Sequence, residues 1–182
     1  MSNEPFIHFD KSQTLFLDRD GVINVRKHDG YITTPEDFIF VPGALQTIVK
    51  LTSFFQKTIV VTNQQGIGKG LYSHADLQAI HEKMLQEVRI AGGRIDDIFY
   101  AHQLAAENSP MRKPNIGMAL AAKDRFPEIE FSNCIMVGDT ISDMQFARNA
   151  GMIAVLCTQE DLNFPADLRV RSLQELAALI LE

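Results

Sequence analysis

The chain has 182 residues, of which 46% are hydrophobic and 22% are charged, and this composition excludes disordered, collagen-like and coiled-coil proteins. Because domains usually hold roughly 100–200 residues, we expect a single domain over residues 1–182, with its core at about 14–157. The formal charge of -6 provides no basic surface field, so we expect no binding to nucleic acid or to an anionic membrane.

The cysteines and the composition of residues 1–10 indicate the cellular compartment of the protein. Cys134 and Cys157 lie in apolar runs, so we expect buried thiols and neither a disulfide framework nor a cysteine metal cluster. Residues 1–10 lack the basic and apolar regions of a secretory signal. No run approaches the roughly 18 apolar residues of a membrane span. We therefore expect a cytoplasmic protein and, for its oligomeric state, a monomer.

Short apolar runs alternate with longer helical patterns. This alternation predicts an α/β fold, a Rossmann-like parallel sheet with helices on both faces, in three layers. The predicted strands are Thr14–Leu17, Thr58–Thr62, Asp97–Ala101, Cys134–Val137 and Ile153–Leu156. Their mostly apolar composition is typical of strands that are covered on both faces.

Five helices are predicted from apolar spacing and from the residues at their ends. They cover Ala44–Phe55, 73–90, Ile116–Arg125, Ser142–Asn149 and the C-terminal segment Ser172–Leu181. Pro42-Gly43 opens the first helix, Ser73 and Ser172 are candidate N-caps, and glycines at 92–93 and 151 end two helices.

Polar side chains stand at the carboxyl ends of three predicted strands. They are Asp18, Asp20, Thr62, Asn63 and Asp139. Open α/β sheets bind their ligands in the crevice at this edge. We therefore expect three strands to bring these side chains to one site.

Asp18 and Asp20 end the first strand two residues apart, and Gly21 lets the backbone turn away sharply. Carboxylates that share a crevice repel one another, and a hard cation such as Mg2+ relieves the repulsion by taking oxygen ligands. An acidic loop that only caps the strand is an equally good interpretation of this spacing by itself.

A third carboxylate favours the metal. Asp139 ends another strand, so two or three carboxylates can share one Mg2+. Asp143 follows one helical turn later. It is either a further ligand or a first-turn aspartate that interacts with the helix dipole.

Neutral and cationic groups complete the set. Thr62, Asn63 and Gln64 supply a hydroxyl and two amides, which suit the oxygens of a phosphoryl group. Arg112 and Lys113 supply adjacent cations that together balance a phosphate dianion. Taken alone, such an Arg-Lys pair is usually a solvated loop.

Together these elements resemble the haloacid dehalogenase (HAD) phosphatase superfamily, from Leu15 to Leu156. Its four motifs occur in order as Asp18-Arg19-Asp20-Gly21, Thr62-Asn63, Lys113, and Gly138-Asp139 followed by Asp143. The resemblance implies a HAD-like fold. The gap between the first two motifs leaves no room for a large cap domain, so we expect a capless form.

The resemblance also implies a Mg2+-dependent phosphomonoester hydrolase. Asp18 would attack phosphorus, Asp20 would act as acid and then as base, and Thr62 and Lys113 would hold the transferring oxygens. The metal would be held by Asp18, the backbone carbonyl of Asp20 and Asp139, with Asp143 as a further candidate. An ordinary pKa of about 3.9 leaves Asp18 ionised, whereas Asp20 needs a raised pKa to act as an acid.

Further segments are similar to the capless group of histidinol phosphatases and heptose-bisphosphate phosphatases, and more to the heptose branch. They are residues 28–31, 35–38, 62–68 and 112–114. This similarity implies a small phosphorylated sugar as substrate. The residues expected to contact it are His28, Asp29, Gly30, Tyr31, Asn63, Gln64, Gln65, Arg112 and Thr140. Alternatively, His28 belongs to a flexible, solvated loop.

One departure from that group concerns zinc. Its members often carry a zinc loop with three cysteines and a histidine, whereas residues 100–111 here hold His102 and no cysteine. We therefore expect no zinc and a shorter loop. Because that loop shapes the substrate pocket, histidinol phosphate or another sugar phosphate remains an alternative substrate. A non-catalytic phospho-sugar-binding protein is the alternative from a different class.

Overall fold

Parallel pairing of six strands organises the protein. The computed structural model describes residues 7–181, so the two ends of the predicted domain lie outside the described residues. The strands are β1 (Thr14–Leu17), β2 (Lys57–Asn63), β3 (Asp97–Ala101), β4 (Cys134–Gly138), β5 (Ile153–Cys157) and β6 (Leu168–Val170). They form one sheet in the order β3-β2-β1-β4-β5-β6, and every pair is parallel. The predicted parallel sheet is confirmed.

Helices cover both faces of this sheet. They are α1 (Ala44–Phe54), α2 (His74–Ile90), α3 (Gly117–Arg125), α4 (Ile141–Ala150) and α5 (Leu173–Leu181). One apolar core joins α1, α2 and α5 to one face of the sheet, and a second core joins α3 and α4 to the other. The three-layer α/β architecture is therefore confirmed, and both cysteines are buried free thiols, as predicted.

Capping residues set the helix ends much as the sequence predicts. Gly43 is the N-cap of α1 in the left-handed conformation, and Gly151 ends α4 at φ 79°. Ser73 begins α2 with a reciprocal capping box to Asp76. The Ser172 hydroxyl accepts a hydrogen bond from the backbone N–H of Glu175 at the start of α5, at 3.2 Å.

Two features of the sheet differ from the prediction. The edge strand β6 was not expected, because its three residues include the exposed Arg169 and show no strand periodicity. The expectation that both faces of every strand are covered is wrong for β3, since only Ala101 of this edge strand is fully buried. The other expected strands agree with the structure to within one residue at each end.

The segment between β1 and α1 positions the site without a separate cap. Residues 18–43, all of which the structure describes, form a loop whose only helical element is the short 3-10 turn Pro35–Asp37. The loop is folded back on itself by a bridge between Asn24 and Phe40. This agrees with the predicted capless form.

Among residues 7–181, no helix combines the length and the apolar composition needed to cross a membrane.

Two leucines of α5 test whether this helix belongs to the same cooperative unit as the sheet. Leu176 is fully buried, whereas Leu179 on the same helix is 54% exposed. We expect Leu176→Ala to lower the free energy of unfolding by about 2–5 kcal/mol through loss of core packing. The matched change Leu179→Ala should cost about 0.5 kcal/mol or less. Urea unfolding of both variants measures the difference, and equal small losses would show that α5 is not part of that unit.

Candidate active site

Three adjacent strands bring the predicted polar residues to one edge of the sheet. Leu17 of β1 pairs with Val60 of β2 and with Val137 of β4, so the carboxyl ends of these strands are aligned. The backbone N–H of Asp18 continues this alignment by donating to the carbonyl of Val137 at 2.9 Å. Asp139 follows β4 directly. The expected convergence of three strands on one site is confirmed.

The carboxylates of Asp18, Asp139 and Asp143 form a cluster. Each offers one oxygen atom, and the three atoms lie within 4.8 Å of one another. Over the described residues 7–181, this is the one group of three or more acidic, cysteine or histidine side chains that is so placed. Hard carboxylate oxygens without thiolates suit Mg2+. The predicted absence of zinc stays a prediction.

A protein cation already points at the oxygens of this cluster. Arg26 Nη2 donates to Asp139 Oδ1 at 2.7 Å and to the carbonyl of Asp20 at 2.9 Å, and it lies 4.0 Å from Asp18 Oδ2. The oxygen atoms that Arg26 contacts belong to the residues that are expected to hold the metal. This group of oxygen atoms therefore attracts positive charge. Sequence reasoning missed Arg26, because a single arginine in a loop carries no pattern until the fold returns it to the strand ends.

Lys113 lies buried at the centre of the cluster. Its Nζ is 2.8 Å from Asp18 Oδ1 and 2.6 Å from Asp143 Oδ1, and it donates to the carbonyl of Val61 at 2.8 Å. Burial alone would lower the pKa of Lys113, but the negative charges of Asp143 and Asp18 outweigh it and raise the pKa. Lys113 is therefore a permanent cation that ties three segments together.

Asp143 lies both at the start of α4 and in the carboxylate cluster, and its binding to the metal stays a prediction. Its Oδ2 accepts hydrogen bonds from the backbone N–H of Thr140 at 3.0 Å and from the Thr140 hydroxyl at 2.5 Å, which caps α4. Its Oδ1 pairs with Lys113, and the carboxylate also belongs to the acidic cluster. Thr140 lines the cavity described below, but its hydroxyl is already engaged in this cap.

Burial changes the titration of the two strand-end carboxylates. It raises the pKa of Asp18, with repulsion from Asp143 and Asp20 adding to the rise and Lys113 opposing it. Burial and repulsion from Asp18 likewise raise the pKa of Asp139, against the opposing charge of Arg26. The expectation that Asp18 keeps an ordinary pKa is therefore wrong when the side chains of the protein alone surround it. A bound divalent cation would favour the ionised form of both residues.

Asp20 has the opposite environment. Arg19 Nη2 donates to both of its carboxylate oxygens at 2.9 Å, Asn24 donates at 3.0 Å and Gln64 at 2.9 Å. Burial alone would raise the pKa of Asp20, but the charge of Arg19 and these hydrogen bonds outweigh it and lower the pKa. The expected raised pKa is therefore wrong for these protein groups, because a cation and two amides face the carboxylate of Asp20.

Gln64 links Asp20 to Thr62. Its Nε2 donates to Thr62 Oγ1 at 2.8 Å as well as to Asp20, and its Oε1 accepts from the hydroxyl of Tyr72 at 2.5 Å. Burial raises the pKa of Tyr72 to about 12, so the phenol keeps its proton and fixes the orientation of the amide. Gln64 lines the cavity with an engaged side chain, and its expected contact with substrate stays a prediction.

Asn63 supports Lys113 through the backbone. Its Nδ2 donates to the carbonyl of Lys113 at 3.1 Å, and its Oδ1 accepts from the N–H of the same residue at 3.0 Å. The pair joins the end of β2 to the loop that carries Lys113. Asn63 thus has a positioning role that the sequence does not indicate, and its contact with substrate also stays a prediction.

A cavity of about 500 Å³ opens onto these groups. Asp18, Thr62 and Lys113 are buried residues of its lining, whereas His28 and Asp29 are exposed residues of its rim. The full set of lining residues that were predicted as site residues is Asp18, Asp20, His28, Asp29, Gly30, Tyr31, Thr62, Asn63, Gln64, Arg112, Lys113, Thr140 and Asp143. The structure therefore brings nearly all predicted side chains around one space.

Gln65 and Arg112 differ from the other predicted site residues in their contacts. Gln65 is not among the lining residues, but its Nε2 donates to the hydroxyl of Tyr31 at 3.2 Å, beside Lys69, which donates to the same hydroxyl at 2.9 Å. Arg112 lines the cavity, and its Nη1 is buried with no hydrogen-bond partner among the described residues. The guanidinium of Arg112 thus keeps one donor unpaired within residues 7–181.

The fold and the site define a class, a three-layer α/β protein with a parallel sheet and a carboxylate cluster suited to Mg2+ at the strand ends. A family model for haloacid dehalogenase-like hydrolases matches residues 6–151, so the chain belongs to the haloacid dehalogenase-like hydrolase family. The predicted superfamily is confirmed.

Relatives and solved structures of known name are similar to most of the chain. A Campylobacter jejuni D-glycero-alpha-D-manno-heptose-1,7-bisphosphate 7-phosphatase is 36% identical over 151 residues, which are 83% of this chain and 85% of the relative. A D-glycero-beta-D-manno-heptose-1,7-bisphosphate 7-phosphatase of Bordetella bronchiseptica is 36% identical over 137 residues, 75% of each chain. The crystal structure of D,D-heptose 1,7-bisphosphate phosphatase from B. bronchiseptica, complexed with magnesium and phosphate, has a TM-score of 0.83 and 31% identity. It covers 93% of this chain and 98% of that chain.

Gly21 is the residue whose replacement tests the metal site most selectively. Gly21 has φ +97°, and an added Cβ would overlap the carboxylate of Asp139. Gly92 has a similar φ of +92° with nothing near an added Cβ. We expect Gly21→Ala to weaken Mg2+ binding by about 10- to 100-fold, as loss of ligand orientation does elsewhere.

Calorimetric titration with Mg2+ measures this effect, and Gly92→Ala is the control because both substitutions place an alanine at a similar left-handed φ. Equal Mg2+ affinity of the two variants would mean that Asp139 does not hold the metal.

Proposed function

We propose that the chain is a Mg2+-dependent phosphatase that removes one phosphate from a heptose 1,7-bisphosphate through an aspartyl phosphate on Asp18. The observation that carries this proposal is the position of Asp18, a buried carboxylate at the cavity wall, paired with Lys113 and clustered with Asp139 and Asp143. At this position the carboxylate of Asp18 suits both attack on phosphorus and ligation of the metal.

The first step forms the covalent intermediate. An oxygen of Asp18 attacks phosphorus, the bond between phosphorus and the sugar oxygen breaks, and Asp20 gives its proton to that oxygen. In the second step, water attacks the phosphorus of the aspartyl phosphate, Asp20 takes a proton from the water, and the bond to Asp18 breaks. Inorganic phosphate leaves, and Asp20 is again protonated as at the start.

Positive charge and hydrogen-bond donors hold the transferring group. Lys113 supplies a fixed cation beside Asp18, and Thr62 supplies a hydroxyl that Gln64 orients. Mg2+ would be held by Asp18, Asp139 and the carbonyl of Asp20, with Asp143 beside them. When bound, it offsets the repulsion between these carboxylates and the phosphate dianion. Such positioning and charge stabilisation are the main contributions of a protein to phosphoryl transfer.

The protonation state of Asp20 depends on whether a substrate phosphate is bound beside it. The neighbouring Arg19 lowers the pKa of Asp20, which favours the ionised form required in the second step. A phosphate dianion that enters beside Asp20 raises this pKa by like-charge repulsion and so favours the protonated form required in the first step. The two forms of Asp20 thus follow the charge of the reacting group.

The choice of a sugar bisphosphate rests on the cavity and on the relatives. Arg112 and Lys27 line this space, so a second phosphate meets positive charge, and Nη1 of Arg112 is buried with no hydrogen-bond partner among the described residues. The relatives described above are named as phosphatases of heptose 1,7-bisphosphates, both alpha and beta forms. Histidinol phosphate, which has a single phosphate, is the alternative substrate.

Replacement of the nucleophile tests the chemistry. We expect Asp18→Asn to lower kcat by at least about 10⁴-fold, because an amide oxygen does not form the intermediate. EDTA should abolish the activity of the wild-type enzyme, and Mg2+ should restore it. Phosphate release from the two heptose bisphosphate anomers, histidinol phosphate and an aryl phosphate measures both effects. Substantial turnover by a pure Asp18→Asn preparation would exclude Asp18 as nucleophile.

Arg112 tests the second phosphate. We expect Arg112→Gln to raise KM for the heptose bisphosphate by about tenfold or more, because a hydrogen bond to a charged group contributes about 1.5–3 kcal/mol. KM for a heptose monophosphate should change much less. The matched change Arg89→Gln, at an exposed position of α2, should leave both constants unaltered. An equal effect on both substrates would argue against a role of Arg112 in reading the second phosphate.

A further inference from the structure

A buried hydrogen-bonded chain leads from α2 to Asp20. His81 on α2 lies 3.2 Å, through its Nε2, from Nη1 of Arg19, and Nη2 of Arg19 donates to both oxygens of Asp20. His81 is 7% exposed and Arg19 is 1% exposed. Arg19 belongs to the first motif, but neither the motifs nor the steps proposed above give a role to His81.

The direction of the bond between the histidine and the arginine follows from their chemistry. A guanidinium has only donors, so the Nε2 of His81 must accept, and the imidazole is neutral with its proton on Nδ1. Burial and the charge of Arg19 lower the pKa of His81 to about 3, which agrees with the neutral form. The ring of Tyr100 packs against the imidazole with the centroids 6.1 Å apart.

Among the described residues, the side chain of Arg19 hydrogen-bonds to His81 and Asp20 alone. Its Nε is buried without a hydrogen-bond partner among the described residues, so His81 and Asp20 hold the two ends of the guanidinium. A buried donor that loses its acceptor pays the full desolvation penalty unless it turns to another group. Loss of the His81 acceptor would therefore shift the guanidinium and the two hydrogen bonds that Asp20 accepts from it, while the hydrogen bonds from Asn24 and Gln64 to Asp20 would remain.

We propose that His81 is a positioning residue for the reaction, which orients Arg19 and through it the carboxylate of Asp20 toward the leaving oxygen. The inference rests on the proposed function, in which Asp20 is the acid and base. His81 does not touch the substrate. Its effect should therefore appear in the steps that need proton transfer and be small in substrate binding.

The leaving group distinguishes this role from a merely structural one. A sugar alkoxide is a poor leaving group and needs the proton of Asp20, whereas p-nitrophenolate leaves without it. We expect His81→Leu to lower kcat on the heptose bisphosphate by about tenfold or more, with KM within about threefold of wild type. On p-nitrophenyl phosphate, the loss in the first step should be at least several-fold smaller.

Two further variants complete the test. His81→Gln places an amide oxygen near the position of Nε2 and should restore most of kcat, whereas the shorter His81→Asn should not reach Arg19. This polar pair keeps the test valid when the leucine variant folds poorly. Met84→Leu, a fully buried change one turn further along α2, is the packing control and should behave as wild type.

The kinetics are measured by single-turnover and steady-state phosphate release with purified, thermally characterised protein. Equal losses on both substrates, or equal activity of the glutamine and asparagine variants, would overturn the role of His81 while leaving the phosphatase intact. A wild-type enzyme without Mg2+-dependent turnover on any of the substrates would instead contradict the proposed function.

Discussion

The site depends on one buried ammonium group, the Nζ of Lys113. It pairs with Asp18 and Asp143 and donates to the carbonyl of Val61, so a single cation joins β1, β2 and the start of α4. Asn63 fixes the backbone that carries it. Removal of this charge would leave buried carboxylates facing one another, which costs several kcal/mol in real proteins. Lys113 therefore compensates the negative charge of Asp18 and Asp143 at the buried end of the cavity.

Two aspartates only two residues apart acquire different properties from this arrangement. The pKa of Asp18 is raised by burial, whereas Arg19, Asn24 and Gln64 hold the pKa of Asp20 below its usual value. Both differences come from neighbours that the fold delivers and not from the local sequence. The first step of the proposed mechanism needs the opposite forms, an ionised Asp18 and a protonated Asp20, and a bound cation and an incoming phosphate dianion favour those forms.

The sequence predicts the frame of the site well, since apolar runs and capping residues mark strand ends, and strand ends carry the ligand crevice in parallel sheets. It does not predict Arg26 or His81, because an isolated charged or polar side chain has no periodicity and acquires meaning only from a partner far away in the chain. The sequence also leads to the wrong sign of the pKa shift of Asp20. The adjacent Arg19 is visible in the motif, but its orientation toward that carboxylate is a property of the folded loop.

The central claim is that a phosphoryl group is transferred to Asp18. The most direct measurement is a rapid acid quench of the wild-type enzyme during turnover of labelled substrate, followed by mass-spectrometric mapping of the labelled peptide. The account predicts a phosphoryl group on the peptide that contains Asp18, and none in Asp18→Asn. Rapid phosphate release with no labelled peptide, or a label on a different residue, would contradict it.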